Sequence, residues 1–410
     1  MRHILFVDDE IKVLQGLTRM LRPMRNEWDM TFIDDPRKVL ELLEQRPYDA
    51  IVVDMKMPQM DGAEVLTKVR ELKPGIARIV LSGHAEREGS LRSVGLAHQF
   101  LAKPCDADTL RATVSRACEL RGFLVDAGLA DTVCQLGKLP SLPKLYQAIT
   151  DEIAREDASL ARVAAIIGQD LSMTAKVLQL VNSAFFGLGR RVADIDQAVS
   201  YLGVDVIRSL VASHSAFSAF ETVDLDFFQQ LWRHSSLTAA LAKAIAQLAS
   251  DDPIVHAESF QAGMLHDIGA LVLAARLPNE YRDARRHAES GKGSLAAREL
   301  EVFGCDHGRI GAYLMGLWGL SDRIVEAIAY HDRPSACSYQ KIAPLTAVHA
   351  ASALVLEAMG REGFETKLDL DYLEVVGCAG SLPKWREEAA RIVANTDDQD
   401  RDEQDGDEQD

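Results

Sequence analysis

Five short apolar runs punctuate the first 120 residues: Ile4–Val7, Met30–Ile33, Ala50–Val53, Ile79–Leu81 and Phe100–Ala102. Runs of this length without polar alternation fit strands buried on both faces. Amphipathic stretches separate them. Asp35-Pro36 marks one helix start, with Asp as cap and Pro in the first turn. Five strands alternating with helices predict a parallel α/β sheet. In such a sheet ligands bind at the carboxyl ends of the strands. The sequence puts Asp8-Asp9-Glu10 after the first run, Asp54 after the third, Ser82-Gly83 after the fourth and Lys103-Pro104 after the fifth. Carboxylates brought together in this way repel unless a cation lies among them, and oxygen-only ligands suit Mg²⁺. Lys103 adds a point charge for a phosphoryl oxygen and Ser82 a hydrogen bond. No G-x-x-x-x-G-K loop is present, so the pattern reads as phosphoryl transfer without a nucleotide loop.

From about Asp126 the strand signal disappears, and apolar residues recur at three- and four-residue spacing to about Val393. Leu136 to Pro143, rich in Pro and Gly, opens this helical part. Asp332 to Tyr339 separates off a smaller piece, Ile342 to Ala394. The net charge of −17 opposes a broad nucleic-acid or anionic-membrane surface. It is unevenly spread, since Asn395 to Asp410 carries nine acidic residues against one Arg. That tail has no aliphatic or aromatic residue and is expected to be disordered. The longest uncharged run, Ile342 to Leu356, has 15 residues, short of the roughly 18–20 apolar residues of a membrane span. The chain reaches Asp8-Asp9 before a secretory leader could form its apolar core. The six cysteines show no C-x-x-C pairing and read as reduced thiols. Together these predict a cytoplasmic protein.

The run Asp54-Met55-Lys56-Met57-Pro58-Gln59-Met60-Asp61-Gly62 resembles the phosphoacceptor segment of response-regulator receiver domains, and residues 1–121 resemble the whole domain. The resemblance implies a flavodoxin-like fold. It makes Asp54 the nucleophile, with Asp8, Asp9, Asp54 and the backbone carbonyl of Lys56 holding Mg²⁺. Ser82 and Phe100 would be the switch pair. Lys103 would bind phosphate, before a cis proline at Pro104. Phe100 stands where the family more often has Tyr. Lys56 and His84 occupy positions that tune phosphate lifetime in the family.

Leu139-Pro140-Ser141-Leu142-Pro143, Gln169 to Gly187 with its Asn182-Ser183-Ala184 segment, and Ile195 to Gly203 resemble the HDOD family of bacterial signalling output domains. Read by itself, Asn182 is a polar helix stop, and Gly187 and Gly189 are breakers. The organisation expected is a receiver at 1–121, a connection at 122–135 and an all-α HDOD domain at 136–335. A helical extension at 336–394 packs on that domain, and an acidic tail follows at 395–410.

Four histidines lie on separate predicted helices. His234 shares a stripe with Leu237, Leu241, Ile245 and Leu248. His266-Asp267 follows Met264-Leu265. His307 lines up with Ile310, Leu314 and Leu317, and His331 with Ile324 and Ile328. One histidine on an apolar stripe is usually a core residue. Neutral imidazoles and a carboxylate converging in a bundle can instead hold a transition metal. His234, His266, Asp267, His307 and His331 match the metal-binding set of HD-superfamily phosphohydrolases. Two departures stand out. Ala270 replaces the Lys of the cyclic-di-GMP phosphodiesterase branch, and the late helix Thr346 to Ser352 offers His349 and no acid. With Asp267 the only matching carboxylate, the expectation is a vestigial, catalytically silent site, with His349 in the core.

The first reading is therefore a two-component response regulator. It is phosphorylated by a sensor histidine kinase or phosphotransfer protein and signals to a downstream protein by HDOD contact. The alternative is a receiver-gated, metal-dependent phosphohydrolase acting on a cyclic dinucleotide or nucleotide. No basic recognition helix suggests a DNA-binding domain. A homodimer is compatible with the sequence.

Overall fold

The computed structural model describes all residues except 84–95, 121–138, 142, 156, 183–191, 213–216, 220–223, 291–292, 338–343, 361–366 and 408–410. The N-terminal sheet is parallel throughout: β1 Arg2–Val7, β2 Trp28–Ile33, β3 Ala50–Asp54, β4 Ala77–Gly83 and β5 Gln99–Lys103, in the order β2-β1-β3-β4-β5. Helices α1 Ile11–Met20, α2 Val39–Gln45, α3 Gly62–Leu72 and α4 Ala107–Leu120 connect or follow them. This is the predicted flavodoxin-like sheet, and each strand contains its expected run. The Asp35-Pro36 start opens a short 3₁₀ turn, Pro36–Lys38, before α2, and Asp35 accepts from the Arg37 amide. A capping box closes the start of α3: Asp61 accepts from the Glu64 amide at 2.8 Å, and Glu64 accepts from the Asp61 amide at 3.2 Å. Gly62 is needed there, because a Cβ would lie 2.3 Å from the Asp54 carbonyl oxygen.

The remaining elements are β6 Leu139–Ser141, α5 Pro143–Ala154, α6 Leu160–Gly168, α7 Leu171–Val181, α8 Ile195–Ala212, β7 Phe217–Ala219, α9 Leu225–Ala249, α10 Pro253–Leu265, α11 Ile268–Arg276, α12 Pro278–Glu289, α13 Leu295–Phe303, α14 His307–Leu317, α15 Asp322–Tyr330, α16 Pro344–Ala358, α17 Leu370–Val376 and α18 Leu382–Asp407. The helical expectation holds, and two details go beyond it. β6 and β7 form a small parallel pair. α18 also carries helical backbone through the stretch expected to be a disordered tail. Leu382, Trp385, Ala389 and Val393 are buried at its start, and once a helix is nucleated each further residue adds a backbone hydrogen bond.

The chain divides into two compact units. One is Met1–Phe220 with Tyr313–Leu320, and the other Glu221–Ala312 with Ser321–Asp410. The division falls inside the segment read as one domain, 136–335, instead of at the 122–135 connection, which lies outside the described residues. In the first unit α8 lies against α6 and α7, and Asn182 ends α7 as expected. Its amide donates to the Leu178 and Val192 carbonyls, and its oxygen accepts from the Val192 amide. The Ser183–Gly189 part of that motif lies outside the described residues. In the second unit α9 packs on α10 and α16, and α15 and α18 also pack on α16. Among the described residues no helix is long and apolar enough to cross a membrane.

α7 is buried along its whole length, including Lys176. The Lys176 ammonium lies 4.0 Å over the Trp318 ring and 3.3 Å from Gln179 Oε1. Gln179 in turn donates to the His98 carbonyl at the start of β5. Burial pushes Lys176 down to about 7, and the nearby Arg78 guanidinium adds to the push. Burial, with the charges of Arg78 and Lys176, also holds His98 well below its usual value. An unfolded lysine titrates near 10.4. Between about pH 7 and 10 the unfolded chain therefore binds more protons, and stability rises with pH by up to about 1.4 kcal/mol per unit. We expect urea unfolding of wild type to show this rise, with the full cost present below about pH 7. Lys176→Met should flatten it. Parallel pH profiles for the two proteins would refute the buried, depressed lysine.

Candidate functional site

The sheet register assembles the first site. Val7 pairs with Val53, Asp54 with Leu81, Ser82 with Ala102 and Gly83 with Lys103. Asp8, Asp54, Ser82 and Lys103 therefore meet at one strand end, as the sequence requires. Asp8, Asp54 and Ser82 are buried. The Lys103 ammonium donates to Asp8 Oδ2 at 2.7 Å and also pairs with Asp54 Oδ1. Burial alone would lower Lys103, but the bonds to Asp54 and Asp8 outweigh it and raise its pKa. Asp54 Oδ2 accepts from the Lys56 amide at 3.1 Å, and Asp8 Oδ1 from the Glu10 amide at 2.9 Å. Asp9 is half-buried beside Asp8, and Lys56 is exposed. The Lys103–Pro104 peptide is cis. Phe100 is buried and pairs with Val80, two positions before Ser82, so Ser82 and Phe100 share a sheet face. His84 lies outside the described residues. Two adjoining buried carboxylates with a third beside them form a hard oxygen donor set that fits Mg²⁺.

The second site lies in the second unit, where the structure brings His234, His266, Asp267, His307 and His331 together. All five are buried. His266 and His331 close α10 and α15 as C-caps with nearly equal backbone angles. Each ring turns its Nδ1 to a carbonyl three residues back, Gly263 at 2.7 Å and Ile328 at 2.9 Å. With Nδ1 donating, each Nε2 carries a lone pair. His307 Nδ1 faces Glu299 Oε2 at 2.7 Å, and Glu299 also accepts the His307 amide at 2.8 Å. All four Nε2 atoms surround Asp267. Its Oδ2 lies 3.2 Å from His266 and 3.9 Å from His234, and its Oδ1 3.4 Å from His307 and 3.5 Å from His331. Burial opposes a charge on Asp267, but the imidazoles outweigh it and hold the carboxyl well below its ordinary value.

Two groups escaped the sequence reading. Asp332 Oδ2 lies 3.4 Å from His307 Nε2, and its Oδ1 3.7 Å from His331 Nε2. Asp267 is thus not the only acid in the site, and the argument for silence from a single carboxylate is corrected. The signal was present, since His331-Asp332 repeats the His266-Asp267 dipeptide at a second helix end. Glu299 is the other; it is fully buried, and nothing in its spacing marked it. Burial pushes Glu299 up, and His307, burial notwithstanding, is raised by Glu299 and its other acidic neighbours. His349 takes no place in the cluster. Its Nδ1 faces the His331 carbonyl at 2.7 Å, and its Nε2 accepts from the Asp369 amide at 2.9 Å. Ser352 Oγ lies 3.2 Å from His234 Nε2.

Nε2 atoms meet in two pairs at 3.3 Å, His234 with His266 and His307 with His331. Two nitrogens bound to one tetrahedral ion at 2.0–2.1 Å stand about 3.3 Å apart. His234, His266 and Asp267 form one potential ligand group, and Asp267, His307 and His331 another. The donor set therefore fits a transition metal.

Gly269 permits this arrangement, because a Cβ there would lie 1.9 Å from the His307 carbonyl oxygen. We expect Gly269→Ala to cost about 3 kcal/mol, the upper range for overpacking. Gly16→Ala, where a Cβ meets nothing within 4 Å, should be neutral or slightly stabilising. Urea unfolding of both variants checks this; equal midpoints would refute the close approach.

Comparison with known proteins finds two domain families along the chain. The response regulator receiver domain model matches residues 4–115, and the HDOD domain model matches residues 139–334. An uncharacterized protein of Treponema pallidum is 28% identical over 207 residues, covering 50% of this chain and 39% of that protein. The hydrogenase transcriptional regulatory protein HoxA of Bradyrhizobium diazoefficiens is 27% identical, covering 49% and 38%. This chain thus spans less than two fifths of the length of these relatives. The MmoQ response regulator of Methylococcus capsulatus is 22% identical with a TM-score of 0.46, covering 61% of this chain and 98% of that one. By sequence and sheet topology, the chain belongs to the response regulators, joining an N-terminal receiver domain to an HDOD output domain.

Proposed function

We propose that Asp54 accepts a phosphoryl group from a sensor histidine kinase or phosphotransfer protein, and that the HDOD domain passes the receiver's state to a downstream protein by contact. One observation carries this reading: the Lys103 ammonium is bonded to both Asp8 and Asp54 at the strand end. An Asp54 carboxylate oxygen attacks phosphorus while the bond to the donor nitrogen breaks. Lys103 then exchanges its contact with Asp54 for a phosphoryl oxygen, and the Ser82 hydroxyl donates to another. Asp8, Asp9, Asp54 and the Lys56 carbonyl would hold Mg²⁺, which offsets charge on the transferring group. As Ser82 moves inward, Phe100 on the same face fills the space, shifting the balance between two packings. Intact-mass spectrometry after treatment with a small phosphodonor and Mg²⁺ should show one adduct in wild type and none in Asp54→Asn. An adduct that persists in the variant would refute the assignment.

A second reading, a metal-dependent phosphohydrolase, is favoured by Asp332. His234, His266, Asp267, His307, His331 and Asp332 would hold the metal, and Glu299 would orient His307. A bound divalent cation supplies Lewis acidity toward a phosphate ester. We expect protein purified without chelator to retain transition metal, measured by elemental mass spectrometry. Glu299→Gln should weaken metal binding about 10–100-fold, the usual effect of losing a partner that orients a ligand. Metal-free wild type would remove this reading. Phosphodiester turnover with added Mn²⁺, lost in Asp267→Ala, would establish it over contact signalling alone.

A further inference from the structure

A cleft of about 240 Å³ opens in the second unit between α9, α11 and α12. Ala274, Phe227 and Tyr281 give it apolar surface, and Arg282, Arg285 and Arg286 line it as well. Phe227 and Tyr281 meet edge to face with ring centroids 5.8 Å apart, which fixes the aromatic part. The Arg285 guanidinium lies 4.5 Å over the Phe227 ring. Stacking uses one face of a guanidinium and leaves its in-plane N–H donors and its other face available. Arg282, Arg285 and Arg286 follow one another at three and one residues along α12, so the helix turns all three to one side.

These guanidiniums are only partly compensated. Among the described residues Arg282 donates to the Asn279 amide oxygen at 3.5 Å, and Arg285 forms a long ion pair with Glu289 at 3.8 Å. Among the described residues none of the three donates a hydrogen bond to a carboxylate. Asp224, the other acid of the cleft, is occupied as the cap of α9, accepting from the Asp226 amide at 2.9 Å. Three arginines held around a concave surface, in a chain of net charge −17, are arranged for an anion, and guanidinium forks match phosphate oxygens. The volume of about 240 Å³ approaches the roughly 300–1,000 Å³ of pockets for drug-sized ligands.

We propose that this cleft binds a nucleoside monophosphate, with its phosphate on Arg282 and Arg286 and its base stacked on the open face of Arg285. The proposal rests on neither reading of the receiver nor of the histidine cluster. Calorimetric titration of the full chain with the four ribonucleoside 5′-monophosphates tests it, with inorganic phosphate and the free nucleosides as separate arms. At least one nucleotide should bind, its nucleoside should not, and inorganic phosphate should compete weakly. Arg285→Ala and the double variant Arg282→Ala/Arg286→Ala should each weaken binding at least tenfold. The double variant removes exposed side chains and should melt at the wild-type temperature, so its loss reports on the site. Arg391→Ala, at an exposed arginine of α18 outside the cleft, should bind like wild type. No binding of any nucleotide, phosphate bound as tightly as nucleotide, or loss in Arg391→Ala with retention in the double variant would each overturn the proposal.

Discussion

An ionised carboxylate in a dry interior costs several kcal/mol unless positive or hydrogen-bonding groups surround it. Asp267 is such a group, and the second unit is organised around it. Four imidazoles turn their Nε2 atoms toward its two oxygens. Each of these rings comes from a different helix. The histidines themselves are aimed from behind: His266 and His331 by carbonyls at their own helix ends, and His307 by Glu299. The small size of Gly269 lets the start of α11 meet the start of α14 closely enough for this. The apolar packing of α9, α10, α15 and α16 excludes the water that would otherwise solvate the charges.

The receiver solves the same problem with one residue. Asp8 and Asp54 are buried side by side, and the Lys103 ammonium joins them. On the proposed reading this is a resting compensation for a site that also takes on phosphate charge. A lysine suits that role, because a compact ammonium on a flexible stem can change partners. In the histidine cluster the compensation is rigid by comparison, since backbone carbonyls or a buried Glu hold three of the four rings.

Asp332 changes how the second site is weighed. A lone carboxylate among four imidazoles offsets little of the charge of two dications. With Asp332 facing His307 and His331, each His-Asp dipeptide brings an acid to its own end of the cluster. That makes metal binding chemically reasonable. The proposed contact signalling by the HDOD domain does not depend on metal binding.

Much of the receiver was legible in the linear chain, because a parallel sheet converts strand order directly into geometry. Once the five apolar runs are strands, Asp8, Asp54, Ser82 and Lys103 follow at their carboxyl ends. The helical site was legible only in part. A helix declares which face is apolar, so His234, His307 and His331 could be seen to point inward. It does not declare which helix it faces, so the geometry around Asp267 could not be read. The roles of Asp332, Glu299 and His349 depended on that geometry. Asp332 follows its histidine in a pattern already recognised, yet only packing shows that its carboxylate reaches two rings. Glu299 lies eight residues from His307, and a turn between helices brings it back. His349 was expected in the core, and the fold shows how it is held there, with both of its nitrogens on backbone groups. The acidic tail was misread for a related reason: composition reports whether a segment can build a core, and α18 borrows one through Trp385 and Val393. Sequence alone therefore determined the strand-end chemistry and the inward histidines, through local periodicity. Which charges meet was decided by tertiary packing, because contacts between helices far apart in the chain carry no local signature.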